Sequence, residues 1–141
     1  MHGSSEPGSA VEAVVARSRD IDTGIRVAAV QELAQWIDQP AALDRLIDML
    51  HDQNVTVMVD AAEVLARRGG AAGIRGILEE IGRSEDDADV DYIMYKLEEL
   101  EALGEAPILV VARSLDASRE SVDFRAGLSE VESYMGHHNP K

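Results

Sequence analysis

The chain has 141 residues, 45% of them hydrophobic, 4% aromatic and none cysteine; this is the scale of one domain and excludes disulfides and thiolate metal sites. Its formal net charge is −14 and its pI is near 4.5. That acidity argues against nucleic acid and anionic membrane surfaces, which are bound through cationic contacts, and suits a basic protein partner.

No apolar run approaches the ~20 residues of a membrane span. The first ten residues, MHGSSEPGSA, have neither the basic nor the apolar region of a secretory signal, so a cytoplasmic location is expected. Residues 1–9 are small and polar and are expected to be a disordered tail, followed by one helical domain over 10–136 and a second tail over 137–141. Ser9 and Glu12 have capping-box spacing, which predicts a helix running to Ser18 with Val11, Val14 and Val15 inward. Asp20 to Gly24 reads as a turn. Ile25 to Ile37 reads as a helix with Leu33, Trp36 and Ile37 on its core side. Trp36, the only tryptophan, is expected to be a hydrophobic plug at the helix end; the alternative is a surface anchor for a partner. Asp38-Gln39-Pro40 breaks the chain, and Pro40 is well placed to start a helix over Ala41 to His51 that buries Leu43, Leu46, Ile47 and Leu50.

Asn54 sits where an N-cap belongs. The helix after it would bury Val57, Ala61, Val64 and Leu65. Arg67-Arg68-Gly69-Gly70 ends it, with Gly69 or Gly70 expected at positive φ. A second helix returns with Ile74, Ile77, Leu78 and Ile81 on one face.

Gly82 to Asp89 is the most acidic stretch. Asp87, Asp89, Asp91 and Glu98 match ligand positions of an EF-hand calcium loop, but Tyr92 stands where that loop needs glycine. Val90, Ile93, Met94, Leu97 and Leu100 instead form a helical stripe, with Asp87 or Asp89 as its cap. This helix, Val90 to Leu103, carries Tyr92, Met94 and Tyr95 where earlier helices carry alanine. After the turn Gly104 to Pro107, Ile108 to Leu115 would bury Ile108, Val111, Ala112 and Leu115. Asp116 to Ser121 is polar. Val122 to Met135 reads as a closing helix with Phe124, Leu128, Val131 and Met135 inward, and Gly136 ends it. His137-His138 belongs to the tail.

Two segments repeat. RVAAVQEL at Arg26 to Leu33 and MVDAAEVL at Met58 to Leu65 align with an offset of 32 residues, and each precedes a second apolar helix. The pattern resembles a HEAT repeat in its short bacterial form. Asp22, Ile25-Arg26, Ala28-Ala29 and Leu33 match in the first copy. His51-Asp52-Gln53-Asn54-Val55 and Ala61-Ala62-Leu65 match in the second, with Met58 where arginine is expected. The resemblance implies an all-α, right-handed α-α superhelix, a solenoid of about seven helices: a cap, three antiparallel pairs and a closing helix. It also implies binding to another macromolecule, along the face lined by the second helix of each pair.

No catalytic set stands out. Gly69-Gly70-Ala71-Ala72-Gly73 lacks the Lys-Ser/Thr of a phosphate loop, and no His-Glu-x-x-His occurs. His51 adjoins Asp52, but neighbours on a helix point apart. The expectation is a non-catalytic protein-binding module, an adaptor or scaffold with an acidic surface, needing no cofactor and no metal. The alternatives are an immunity- or antitoxin-like protein masking a basic toxin and, behind it, a HEAT-like lyase. The candidate partner-binding residues are Asp44, Asp48, Arg75, Glu79 and Arg113, with Glu85, Asp86 and Asp87 at the loop edge. Asp44 and Asp48, like Arg75 and Glu79, share a helix face by i, i+4 spacing.

Overall fold

The computed structural model describes residues 7–84 and 86–136. They form eight α-helices: α1 Pro7–Arg17, α2 Thr23–Ala34, α3 Pro40–Asp48, α4 Val55–Arg68, α5 Gly70–Arg83, α6 Val90–Ala102, α7 Ile108–Ser114 and α8 Val122–Gly136. Short 3-10 turns occupy Met49–His51 and Ala117–Arg119, and no strand occurs among the described residues. The count is eight rather than about seven.

Several boundaries differ from the sequence expectation. α1 starts at Pro7, so Ser9 lies inside the helix and does not cap it, and the expected tail loses Pro7 to Ser9. Proline suits a first helical turn, because its φ is already helical and its missing N–H would have had no partner there. Residues 1–6 and 137–141, which include His2, His137 and His138, lie outside the described residues. α2 ends at Ala34. Trp36 and Ile37 sit in the following turn and fold back, half-buried, onto the core. α3 tightens after Asp48 into a 3-10 turn that buries Met49 and Leu50. Leu43, Ile47, Val15, Val111, Leu115 and Leu128 are only partly buried, at the margins of their stripes.

The helices pack in two layers. α2, α4 and α6 lie side by side in one. α1, α3 and α5 lie side by side in the other, with α7 also against α5. One continuous core of valine, leucine, isoleucine and alanine fills the space between. Alanines 29, 61 and 62 are fully buried, and their small side chains let neighbouring helices approach closely.

The turns recur as well as the helices. Asp20 accepts the N–H of Asp22 at 2.8 Å, and Asp52 accepts that of Asn54 at 2.8 Å. Asp22 and Asn54 then cap α2 and α4, accepting from Ile25 at 3.2 Å and from Thr56 at 2.9 Å. Asp87 and Asp116 repeat the first half of this device, accepting from Asp89 at 2.9 Å and Ser118 at 3.1 Å. The second half is lost before α6. Asp89 stands at the N-cap position with helical backbone and makes no capping bond, so neither Asp87 nor Asp89 caps α6 through its side chain as expected. Gly70 takes φ +62 between α4 and α5 as expected, while Gly69 stays in the helical region at φ −87.

The third pair departs from the other two. α7 has only seven residues, and α8 does not continue the stack beyond it. Instead α8 folds back and packs chiefly along α5, with smaller contacts to α6 and an ion pair from Glu132 to Arg113 of α7. Gly82, near the end of α5, meets Asp123 at the start of α8, and Leu78 further back meets Gly127, so the two helices run antiparallel. A Cβ on Gly82 would collide with the Asp123 carbonyl oxygen, and one on Gly127 with the Leu78 carbonyl oxygen. Glycine at both positions therefore sets how closely α8 can approach.

Candidate functional site

Polar side chains concentrate along one edge of the stack, where the turns entering α2, α4 and α6 follow one another. Arg26, on the first turn of α2, donates from Nε and Nη2 to the two oxygens of Asp52 at 2.9 and 3.0 Å. Its third nitrogen donates to the carbonyls of Asp20 and Ile21 at 2.9 and 3.0 Å. One guanidinium thus clamps two successive turns. Beside it, Arg45 of α3 donates to the hydroxyl and the carbonyl of fully buried Ser18 at 2.7 and 3.1 Å. Burial, and next the charge of Arg19, hold the Arg45 pKa below its ordinary value; it remains a cation at any working pH.

Next along the edge is Glu80, near the end of α5, a buried carboxylate only 4% exposed. His51 Nδ1 lies 3.1 Å from it, Arg83 Nε donates to it at 3.2 Å, and the Ser84 hydroxyl donates at 3.0 Å. A buried charge is tolerable when its lone pairs are filled in this way. Two clefts open along the edge. One, of about 790 Å³, lies among Arg19, Arg26, Arg45, Asp48 and Asp52. The other, of about 230 Å³, lies among Met58, Glu80, Asp87 and Asp89. They share His51, Asp52 and Gln53.

The sequence-predicted site residues divide into two groups. Asp44 and Asp48 are exposed on α3, and Asp86 and Asp87 are exposed in the loop before α6; none is in an ion pair among the described residues. Asp48 and Asp87 reach the two adjoining clefts. Glu85 lies outside the described residues. Arg75, Glu79 and Arg113 are engaged within the protein. Arg75 binds Glu120 at 2.8 and 3.2 Å, Glu79 accepts from the Ser121 hydroxyl at 3.0 Å, and Arg113 binds Glu132 at 2.8 Å. These contacts fasten α8 and its leading loop over the second-helix layer. The Glu120 hydrogen bond, foremost, raises the Arg75 pKa, as expected for a paired cation.

Sequence reasoning missed Glu80, Ser18 and the Arg26–Asp52 clamp. The only available signal was the shared offset of Asp20 and Asp52, which carries the turn but not the partner across it. Among the described residues no helix is long and apolar enough to cross a membrane, and no group of three or more His, Cys, Asp or Glu side chains is placed to hold a metal ion. No protein-family model, no curated protein and no solved structure matches the chain.

Proposed function

We propose that this chain is a non-catalytic protein-binding module, a short HEAT-like α-solenoid with a right-handed superhelix, that uses its acidic edge to bind a basic protein partner. The recurring Asp turn and the two-layer order of the helices support the solenoid reading. The observation that carries the binding reading is the set of exposed carboxylates Asp44, Asp48, Asp86 and Asp87, which the protein's own cations leave without ion pairs among the described residues. Unpaired surface charge of one sign steers an oppositely charged partner and fixes its orientation. Arg75, Glu79 and Arg113 drop out of the proposed surface, because α8 and its leading loop engage them. A cytoplasmic location belongs to the same reading. Masking of a basic toxin is the second reading, and the same carboxylates favour it.

The test starts from a partner captured in the native cell and identified by mass spectrometry. Asp44, Asp48 and Asp86 are then reversed to lysine; Asp87 is spared because it holds the turn at Asp89. Association should slow and lose part of its salt dependence, since exposed charges are screened beyond ~8 Å at physiological ionic strength. Melting should change little, as surface substitutions usually stay within ~0.5 kcal/mol. Unchanged affinity together with unchanged salt dependence would refute the acidic-edge reading.

A further inference from the structure

The chain has three tyrosines, and all three meet on one surface. Tyr92 and Tyr95 stand one turn apart on α6 with ring centroids 6.3 Å apart, edge to face, and Tyr134 of α8 lies 6.1 Å from Tyr95. Tyr92 and Tyr95 are 48% and 54% exposed, on the side of α6 left outside its buried stripe of Ile93, Leu97 and Leu100. Beside Tyr134 opens a pocket of about 250 Å³. Its floor is apolar, made by buried Ile81, Val90 and Met94; its rim carries Asp91, Glu130 and Ser133. Asp91 and Glu130 are exposed and are in no ion pair among the described residues. Burial, and next the nearby Glu98 carboxylate, raise the Tyr134 pKa.

An apolar floor, two carboxylates unpaired among the described residues and a run of aromatic rings are three different recognition elements. They match the three parts of one side chain. An arginine stem is aliphatic and buries against apolar surface. Its guanidinium is planar, pairs with carboxylates through a fork of donors and stacks on aromatic faces. A lysine ammonium fits the charge but not the plane. We propose that the Tyr92–Tyr95–Tyr134 surface and its adjoining pocket bind an arginine side chain presented by a short basic segment of a protein partner. The net charge of −14 favours such a segment over a neutral or acidic one. This deepens the protein-binding reading by naming the partner's chemistry, and it rests on that reading, but it uses the face of α6 and α8 rather than the acidic edge.

The experiment titrates the full chain with two capped peptides of equal charge, one alternating arginine with glycine and one alternating lysine with glycine, while the tyrosine ring signals are followed by NMR. The arginine peptide should bind about three- to tenfold tighter, in keeping with the added stacking and forked pairing. Shifts should concentrate at the three tyrosine rings. Asp91→Asn with Glu130→Gln, and separately Tyr95→Ala, should each remove most of the difference between the two peptides. Both changes are at exposed positions, and an unchanged amide spectrum elsewhere reports an intact fold. Equal affinity for the two peptides overturns the proposal. So does equal loss of preference in an Asp44→Asn, Asp48→Asn protein, which would mean diffuse attraction. Ring shifts that depend on protein concentration without peptide would assign the face to a second copy of the chain, and binding seen only after removal of residues 137–141 would assign it to the chain's own terminus; either result overturns it. A partner that still needs Asp44 and Asp48 but ignores Tyr95→Ala would leave the protein-binding reading standing and this inference refuted.

Discussion

Arg26 and Asp52 join the first helical pair to the second through two parallel hydrogen bonds of 2.9 and 3.0 Å, with their side chains only 15% and 10% exposed. Asp52 at the same time accepts the N–H of Asn54 and so shapes the turn that opens α4. Asp52→Ala should therefore cost ~3–5 kcal/mol, the range for stranding one member of a mostly buried pair. Arg26→Met with Asp52→Ala should cost less than the two single changes added together, because the stranded charge is gone. Urea midpoints of the four proteins measure this. Strict additivity would mean that the two side chains act independently.

Gly127→Ala tests the approach of α8. By helix propensity alone, alanine would gain ~1 kcal/mol over glycine. By packing it should lose more, since its Cβ meets the backbone of Leu78, which cannot swing aside. The net should be destabilisation of ~1–3 kcal/mol, the range for overpacking. Gly104→Ala is the contrast: its added Cβ meets nothing within 4 Å, but φ is +73. Its cost should be ~1 kcal/mol, from backbone strain alone. A Gly127→Ala protein that melts higher than the parent would disprove the close crossing.

Leu65 is fully buried in α4, between both layers. Leu65→Ala should cost ~2–5 kcal/mol through lost burial and a residual cavity. An unchanged denaturation midpoint would contradict this packing.

Asp60 gives the pH dependence. Burial, and then the charge of Glu63, raise its pKa, while Lys96 acts the other way. The folded state therefore holds this proton more tightly than the unfolded chain, whose value is ~3.9. Stability from this group is present below the unfolded value and is lost as pH rises through the raised folded value. Asp60→Asn should be more stable than the parent at neutral pH, and the advantage should shrink on acidification to pH ~3.5. Denaturation of both proteins at the two pH values measures it. An advantage that grows in acid would show that Lys96 outweighs burial.

The helices were legible because their information is local. Val57, Ala61, Val64 and Leu65 announce a buried face by spacing alone, and all four are buried. Asn54 announces its cap through the chemistry of one side chain, and it caps α4. Gly70 likewise fits its positive φ. The return of α8 onto α5 was not legible. Gly82 and Gly127 are far apart in the chain, and a glycine within a helix does not say which backbone it admits. The candidate site suffered the same limit. Asp44 and Asp48 are exposed as their spacing suggested. Arg75 and Glu79 have equally good spacing, yet face Glu120 and Ser121 from a distant turn. Spacing locates a helix face but not what the rest of the chain lays over it.

The fold-back of α8 bears on how such a chain could lengthen. Stacks of similar helical pairs usually grow by duplication, because each unit touches only its neighbours. Here a duplicated pair inserted after α5 would separate α5 from α8, leaving Gly82 and Gly127 each facing a helix that was not cut to receive it. An insertion between α3 and α4 disturbs side-chain contacts instead: the new turn would need an aspartate for Arg26 and an arginine for Asp52, and the fit of Ile47 on Gly76 and of His51 on Glu80 would have to be rebuilt. Lengthening among the first pairs would thus trade side chains, whereas lengthening after α5 would undo a fit of backbone against backbone.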